Sequence, residues 1–205
     1  MEEQEKIVNY SKDTFLKSGF YKITMDEIAK GLHISKKTIY KYFPSKNKLV
    51  DSAIKLFQNS VKHEITNSVN KQENSILKIR AVAKVFAELS IKLNEQMLYD
   101  LQVHRPDLWQ TVDKFRGEII KNIWEEIIDQ GKNEGVIIDK PNDIIVSIIY
   151  YSIRGIISPK FLLNHNYSIN EAFQIAFEII IKGILTEKGL QIYNKLEQDT
   201  KNEKD

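Results

Sequence analysis

Cysteine is absent from the 205 residues. Neither disulfides nor thiolate chemistry is available, which fits a reducing cytoplasm. Proline occurs only four times, at Pro44, Pro106, Pro141 and Pro159, and each sits beside a plausible helix boundary. No run alternates apolar and polar residues as a half-buried strand does, and there is no internal repeat or low-complexity linker. The longest strongly apolar stretch, Ile144 to Ile153, is closed by Arg154. It falls far short of the ~20 residues a spanning helix needs. The N-terminus MEEQEKIVNY is acidic and lacks the apolar run of a signal peptide. These absences predict a soluble, cytoplasmic, all-α protein with no membrane partner.

Other absences bear on chemistry. The four histidines, His33, His63, His104 and His165, are scattered, with no HExxH or other ligand-spaced pair. No glycine-rich phosphate loop follows a strand, and no G-x-S-x-G occurs. The expectation is a protein that is not an enzyme and has no catalytic residues, metal or cofactor.

What is present is enough for a packed core: 42% of residues are hydrophobic and 10% aromatic. The net charge of +2 hides an asymmetry. Residues 1–62 carry twelve lysines and no arginine against seven acidic residues, a balance of +5. The remaining residues carry 18 Lys+Arg against 21 Asp+Glu, a balance of −3. A basic head on a slightly acidic body points to an anionic partner for the head alone.

The spacing predicts a first helix from about Gln4 to Lys17, with Ile7, Val8, Tyr10, Phe15 and Leu16 near the core and Gly19 ending it. Thr24 has the features of an N-cap for a short second helix, with Asp26 and Glu27 favoured by the dipole of its first turn. Ser35 caps a third helix, on which Ile39 and Phe43 return to the core. Pro44-Ser45 breaks the chain, and Ser45 caps a linking helix through about Val61. Longer helices follow at roughly 74–94, 96–104, 107–134, 142–163 and 168–186, the last entered through a capping box of Ser168 and Glu171. Gly135 and the VIIDKP segment read as a turn. The predicted organisation is a helix-turn-helix domain over 1–48 with a linking helix at about 45–62, a helical body over 49–190, and a frayed polar tail over 191–205.

The most informative stretch is TMDEIAKGLHISKKTIYKYFPSKNK, residues 24–48. Ala29 supplies the small residue that crossing helices need, and Ile28, Leu32, Ile34 and Ile39 supply apolar anchors. His33 occupies a turn position that favours positive φ, where histidine is among the enriched non-glycine residues. Ser35, Lys36, Lys37, Thr38, Tyr40, Lys41 and Tyr42 are left on the outer face of the third helix. From Ile28 to Val50 no acidic residue occurs, while Lys30, Lys36, Lys37, Lys41, Lys46 and Lys48 all fall inside. Lysine-rich helical faces are common on solvated surfaces. Excluding carboxylates while gathering ammonium groups is what a surface lying on phosphates requires.

The string AKGLHISKKTIYKYFPSKNKL resembles the DNA-binding motif of TetR-family (tetracycline-repressor-type) transcriptional regulators, and FLKSGFYKITMDEIAK matches the way those domains begin. The resemblance covers roughly residues 4–55, with His33 in place of the commoner glycine. It implies that Thr24, Tyr40, Tyr42 and Lys46 donate to phosphates and that Lys36, Lys37 and Thr38 face the major groove. It also implies a repressor that binds double-stranded operator DNA as a homodimer and is released by a small molecule.

Two C-terminal helices are apolar on almost every side, which means burial on more than one face. The resemblance implies that they pair across a two-fold axis. Ile148, Tyr151, Ile156, Phe173, Phe177, Ile180 and Ile184 are the candidates for that interface. A small, lipophilic effector needs an apolar pocket with a few polar anchors. Phe86, Tyr99, Gln102, His104, Trp109, Arg116, Trp124, Tyr150 and Arg154 are the candidates, although aromatics at helical spacing also build ordinary cores. Arg154, a charge within the most apolar helix, is expected to be paired, interfacial or ligand-facing. A dimeric DNA-binding or adaptor module without sequence readout is the alternative.

Overall fold

The computed structural model describes residues 2–202. Eleven helices form among them: α1 (Glu3–Ser18), α2 (Met25–Leu32), α3 (Lys36–Tyr42), α4 (Lys46–Asn70), α5 (Ser75–Lys92), α6 (Glu95–His104), α7 (Pro106–Asn133), α8 (Asn142–Ile156), α9 (Pro159–His165), α10 (Ile169–Ile184) and α11 (Glu187–Asn202). No strand forms among the described residues. One isolated antiparallel bridge joins Ile137 to Leu185, where the backbone N–H of Ile138 donates to Ile184 and that of Thr186 to Val136. Gly135, at φ 70°, begins the turn that leads there.

Helix ends in the first 45 residues follow local chemistry. Gly19, at φ 73°, closes α1 and donates its N–H to the Phe15 carbonyl. Thr24 makes a full capping box with Glu27 at the start of α2, and His33 ends that helix in the left-handed region at φ 56°. Ser35 caps α3 by accepting from the Thr38 N–H. Gly31 leaves room for a neighbour, because a Cβ there would lie 1.8 Å from the Tyr10 hydroxyl.

Three expectations are corrected. The linking helix does not stop near Val61. It continues to Asn70, because Val61, Ile65 and Val69 recur at four-residue spacing and are all buried. The apolar segment at 142–163 is two helices, bent by 60°. Ser158 caps α9 and Pro159 opens it, as a residue lacking an N–H favours a helix start over an interior. The segment after Leu190 is helical, not frayed: α11 reaches Asn202, and Tyr193 is buried. Residues 203–205 of the predicted tail lie outside the described residues.

Contacts divide the chain into two units. The first joins residues to His63 with Leu89–Phe115, and the second joins Glu64–Glu88 with the chain from Arg116 onward. The helix-turn-helix is therefore not a unit by itself, because α6 belongs with it. Met97, Leu101 and Leu108 share one core with Ile7, Phe15, Ile28, Ile39 and Leu49. In the second unit α8 packs on α10. Phe86 stacks on Phe173 at 5.0 Å, Phe173 meets Phe177 at 5.3 Å, and Trp124 meets Phe177 at 6.1 Å between ring centres.

Candidate nucleic-acid interface

The crossing of α2 and α3 is set by Ala29, Ile28 and Ile39, all buried, with Leu32 and Ile34 packed against the same core. Anchoring Ile39 inward turns the opposite face of α3 out. Lys36, Lys37, Tyr40 and Lys41 are exposed, while Thr38 and Tyr42 are half-buried. Tyr40 is 43% exposed, so its ring is not part of the core. The Lys41 ammonium sits 5.3 Å from the centre of the Tyr42 ring, a cation–π distance.

Several of the predicted contact groups have internal partners. Lys36 Nζ donates to Asp26 Oδ2 at 2.7 Å, and that hydrogen bond raises the lysine above its ordinary range. The Tyr42 hydroxyl donates to Glu3 Oε2 at 3.1 Å. The Thr24 hydroxyl donates to Glu27 Oε2 at 2.8 Å while accepting from the Glu27 N–H. The hydrogen bonds from the Thr24 backbone and side chain hold the Glu27 carboxyl below its usual range. Ser35 and Thr38 hydroxyls share a 2.8 Å hydrogen bond. Lys46 Nζ donates to the Tyr21 carbonyl at 2.7 Å. Burial pushes Lys46 below the ordinary lysine range, opposed by the charges of Asp100 and Glu27. Three carboxylates, of Asp26, Glu3 and Glu27, are thus the partners of Lys36, Tyr42 and Thr24.

The pocket candidates fall into both units. Tyr99, Gln102, His104 and Trp109 belong to the first, where His104 stacks on Tyr21 at 3.5 Å and meets Tyr99 edge-on at 6.2 Å. Trp109 packs against the helix-turn-helix core, and Gln102 is exposed. Phe86, Arg116, Trp124, Tyr150 and Arg154 belong to the second. Trp124 is buried in the aromatic chain, Phe86 lies half-buried at its end, and Arg116 is half-buried. Tyr150 stands over Gly117, and Arg154 is exposed.

The interface candidates separate in the same way. Phe173, Phe177 and Ile184 are buried within the chain. Ile148 and Tyr151 are exposed, and Ile156 and Ile180 are half-buried. Three residues absent from the interface candidates, Ile144, Ile175 and Ile179, are also exposed. Their signal was spacing: Ile144, Ile148 and Tyr151 on α8, and Ile175 and Ile179 on α10, recur at three or four residues on one face.

A capped, lysine-bearing helix turned outward from a helix-turn-helix is the arrangement of a DNA-binding domain. Residues 7–53 match the family model for bacterial regulatory proteins of the tetR family. That match covers the helix-turn-helix and the start of α4. An uncharacterized HTH-type transcriptional regulator, YvaF from Bacillus subtilis (strain 168), is 25% identical over 178 residues, 84% of this chain and 91% of that protein. A transcriptional regulator from Cytophaga hutchinsonii ATCC 33406 shares the fold at a TM-score of 0.70, with 19% identity over 89% of this chain and 98% of that one. A TetR transcriptional regulator from Chloroflexus aurantiacus J-10-FL does so at 0.67, with 17% identity over 87% and 92%.

Proposed function

We propose that this protein is a sequence-specific repressor that binds a palindromic operator as a homodimer and is released by a small, lipophilic effector. The observation that carries the DNA-binding half is the exposed face of α3, within a segment from Ile28 to Val50 that holds six lysines and no acid. Lys36, Lys37 and Thr38 enter the major groove, with Ser35 at the N-terminus of that helix. Tyr40, Lys41, Tyr42, Lys46 and Thr24 engage phosphates. Phosphates displace Glu3 and Glu27 from Tyr42 and Thr24, and they compete with Asp26 for Lys36.

The dimer is supported by the exposed apolar face of α8 and α10, which carries Ile144, Ile148, Tyr151, Ile175 and Ile179. A contiguous row of this kind on two adjacent helices marks a protein interface, and a second copy of the same face satisfies it with two-fold symmetry. Two α3 helices then read half-sites about one helical turn apart, or somewhat more. The effector is supported by the aromatic chain Phe86–Phe173–Phe177–Trp124 in the second unit. An effector that repositions α4 changes the spacing of the two reading helices. Its force on the equilibrium is limited to its difference in affinity for the two states.

The test is fluorescence anisotropy of the purified protein on labelled genomic fragments at rising salt. A regulator retains tight binding to a few fragments where binding to the bulk is lost. Uniform loss across all fragments would leave a sequence-independent DNA-binding module instead.

A further inference from the structure

Residues 19–24 join α1 to α2 without regular structure, yet contacts from α6 and α4 converge on them. Asp100 on α6 is 1% exposed. Its Oδ2 accepts from the backbone N–H groups of Phe20 and Tyr21, each at 2.7 Å. Its Oδ1 accepts from Gln96 Nε2 at 2.7 Å. The His104 ring stacks on Tyr21 with planes 8° apart. The Asn94 N–H donates to the Leu16 carbonyl at 2.9 Å. From the other side, Lys46 Nζ donates to the Tyr21 carbonyl. Gly19 makes the approach possible: a Cβ there would stand 2.5 Å from Asp100 Oδ2, and its φ of 73° suits glycine.

A buried carboxylate that accepts from two successive amides forms charge-assisted bonds and fixes both peptide planes. Those planes set where α2 begins, and therefore where Thr24 and the crossing of α2 with α3 stand. They also fix the carbonyl that holds the Lys46 ammonium. Both Thr24 and Lys46 are phosphate-facing groups in the proposed interface.

We infer that Asp100 is a positioning residue for DNA binding: from α6 it sets the α1–α2 turn that presents Thr24 and Lys46 to the phosphate backbone. The inference rests on the DNA-binding reading. Hydrogen exchange reports the turn without any DNA, so a failure of one is distinguishable from a failure of the other.

The experiment uses the full-length protein, with Asp100→Ala, Asp100→Asn and Gly19→Ala. Exchange is followed in the peptide covering residues 17–24, with α10 as internal reference, and affinity is measured on a short random-sequence duplex at low salt. With the buried Phe20 N–H and the part-buried Tyr21 N–H left without their acceptor, Asp100→Ala should exchange that peptide roughly tenfold faster or more. It should weaken DNA binding by a similar factor while α10 stays protected. Asp100→Asn, whose single oxygen can still accept both amides, should recover most of both. Gly19→Ala, which pushes the carboxylate away with Asp100 intact, should behave like Asp100→Ala. Fast exchange with unchanged affinity would overturn the inference, because the turn would then not position the contacts. Continued protection in Asp100→Ala would overturn it too. So would global unfolding of both Asp100→Ala and Gly19→Ala, which would make Asp100 a determinant of the fold and not of the reading surface.

Discussion

Replacing Ile179 with alanine tests the proposed dimer at its most open point. Ile179 is 68% exposed on α10 although it is a large aliphatic side chain in a strongly apolar helix. The substitution removes three carbons, each worth about 0.8 kcal/mol when fully covered. Covering only the exposed two-thirds makes the loss about 1.6 kcal/mol per subunit on the same scale. A two-fold interface counts every substitution twice, so the dimer loses about 3 kcal/mol. That corresponds to a dissociation constant raised by roughly 200-fold. Sedimentation equilibrium of the purified protein reads this directly. Ile91→Ala is the control, since Ile91 is 78% exposed but lies on α5 in the first unit, and it should leave association unchanged. An Ile179→Ala protein that associates within about threefold of wild type, a shift under about 0.7 kcal/mol, would show that this face does not pair. An equal effect from Ile91→Ala would do the same.

Lys41→Ala should weaken binding evenly across DNA sequences and reduce the slope of log affinity against log salt by about 2 per dimer, one phosphate contact from each subunit. A slope that does not change removes Lys41 from the phosphate contacts. Asp26→Asn frees the Lys36 ammonium from its 2.7 Å partner. It should tighten operator binding by roughly two- to tenfold, as competition from a solvated ion pair is modest. Weaker binding would mean that the pair orients Lys36 productively. Asp107 is held down to about 2, first by the side-chain hydrogen bonds from Arg105. Its folded value lies below the unfolded one of about 4, so its stabilising contribution is complete above pH ~4 and disappears as pH falls toward about 2. The melting-temperature gap between wild type and Asp107→Asn should therefore close over that window, and a gap that stays constant would contradict the assignment.

The helix-turn-helix was legible because its determinants are local. Thr24, Ser35, Gly19 and His33 act on groups within four residues of themselves, and each occupies the role its side chain or backbone preference dictates. The inward anchoring of Ile28 and Ile39 followed from helical periodicity. What escaped depends on distant residues. Asp100 reaches Phe20 across 80 positions and Arg105 reaches Asp51 across 54, and no local pattern marks either carboxylate as a partner. Those two contacts, with Met97 and Leu101 in the core, place α6 in the unit that carries the helix-turn-helix.

Length errors have a similar cause. Polar residues between Val61, Ile65 and Val69 disguised a sparse but regular stripe at the end of α4. An unbroken apolar composition hid the stop at Ser158-Pro159. Tyr193 carries the buried face of α11 among charged neighbours, so mean polarity read as fraying. The apolar excess of α8 and α10 was visible in sequence. Which residues face inward was not, because Phe173 and Phe177 differ from Ile175 and Ile179 only in the phase of the helix against its neighbours.

The proposed function rests on α3 reading a defined sequence in two symmetric copies. Its most direct test is selection of bound duplexes from a fully random library at about physiological salt, where non-specific contacts are weakened. The expected result is enrichment of an inverted repeat whose half-sites are separated by about one helical turn or somewhat more, and loss of that enrichment in Lys37→Ala. Recovery of no motif from a protein that is dimeric in solution would contradict it, and the lysine face would then be a backbone-binding or non-DNA surface.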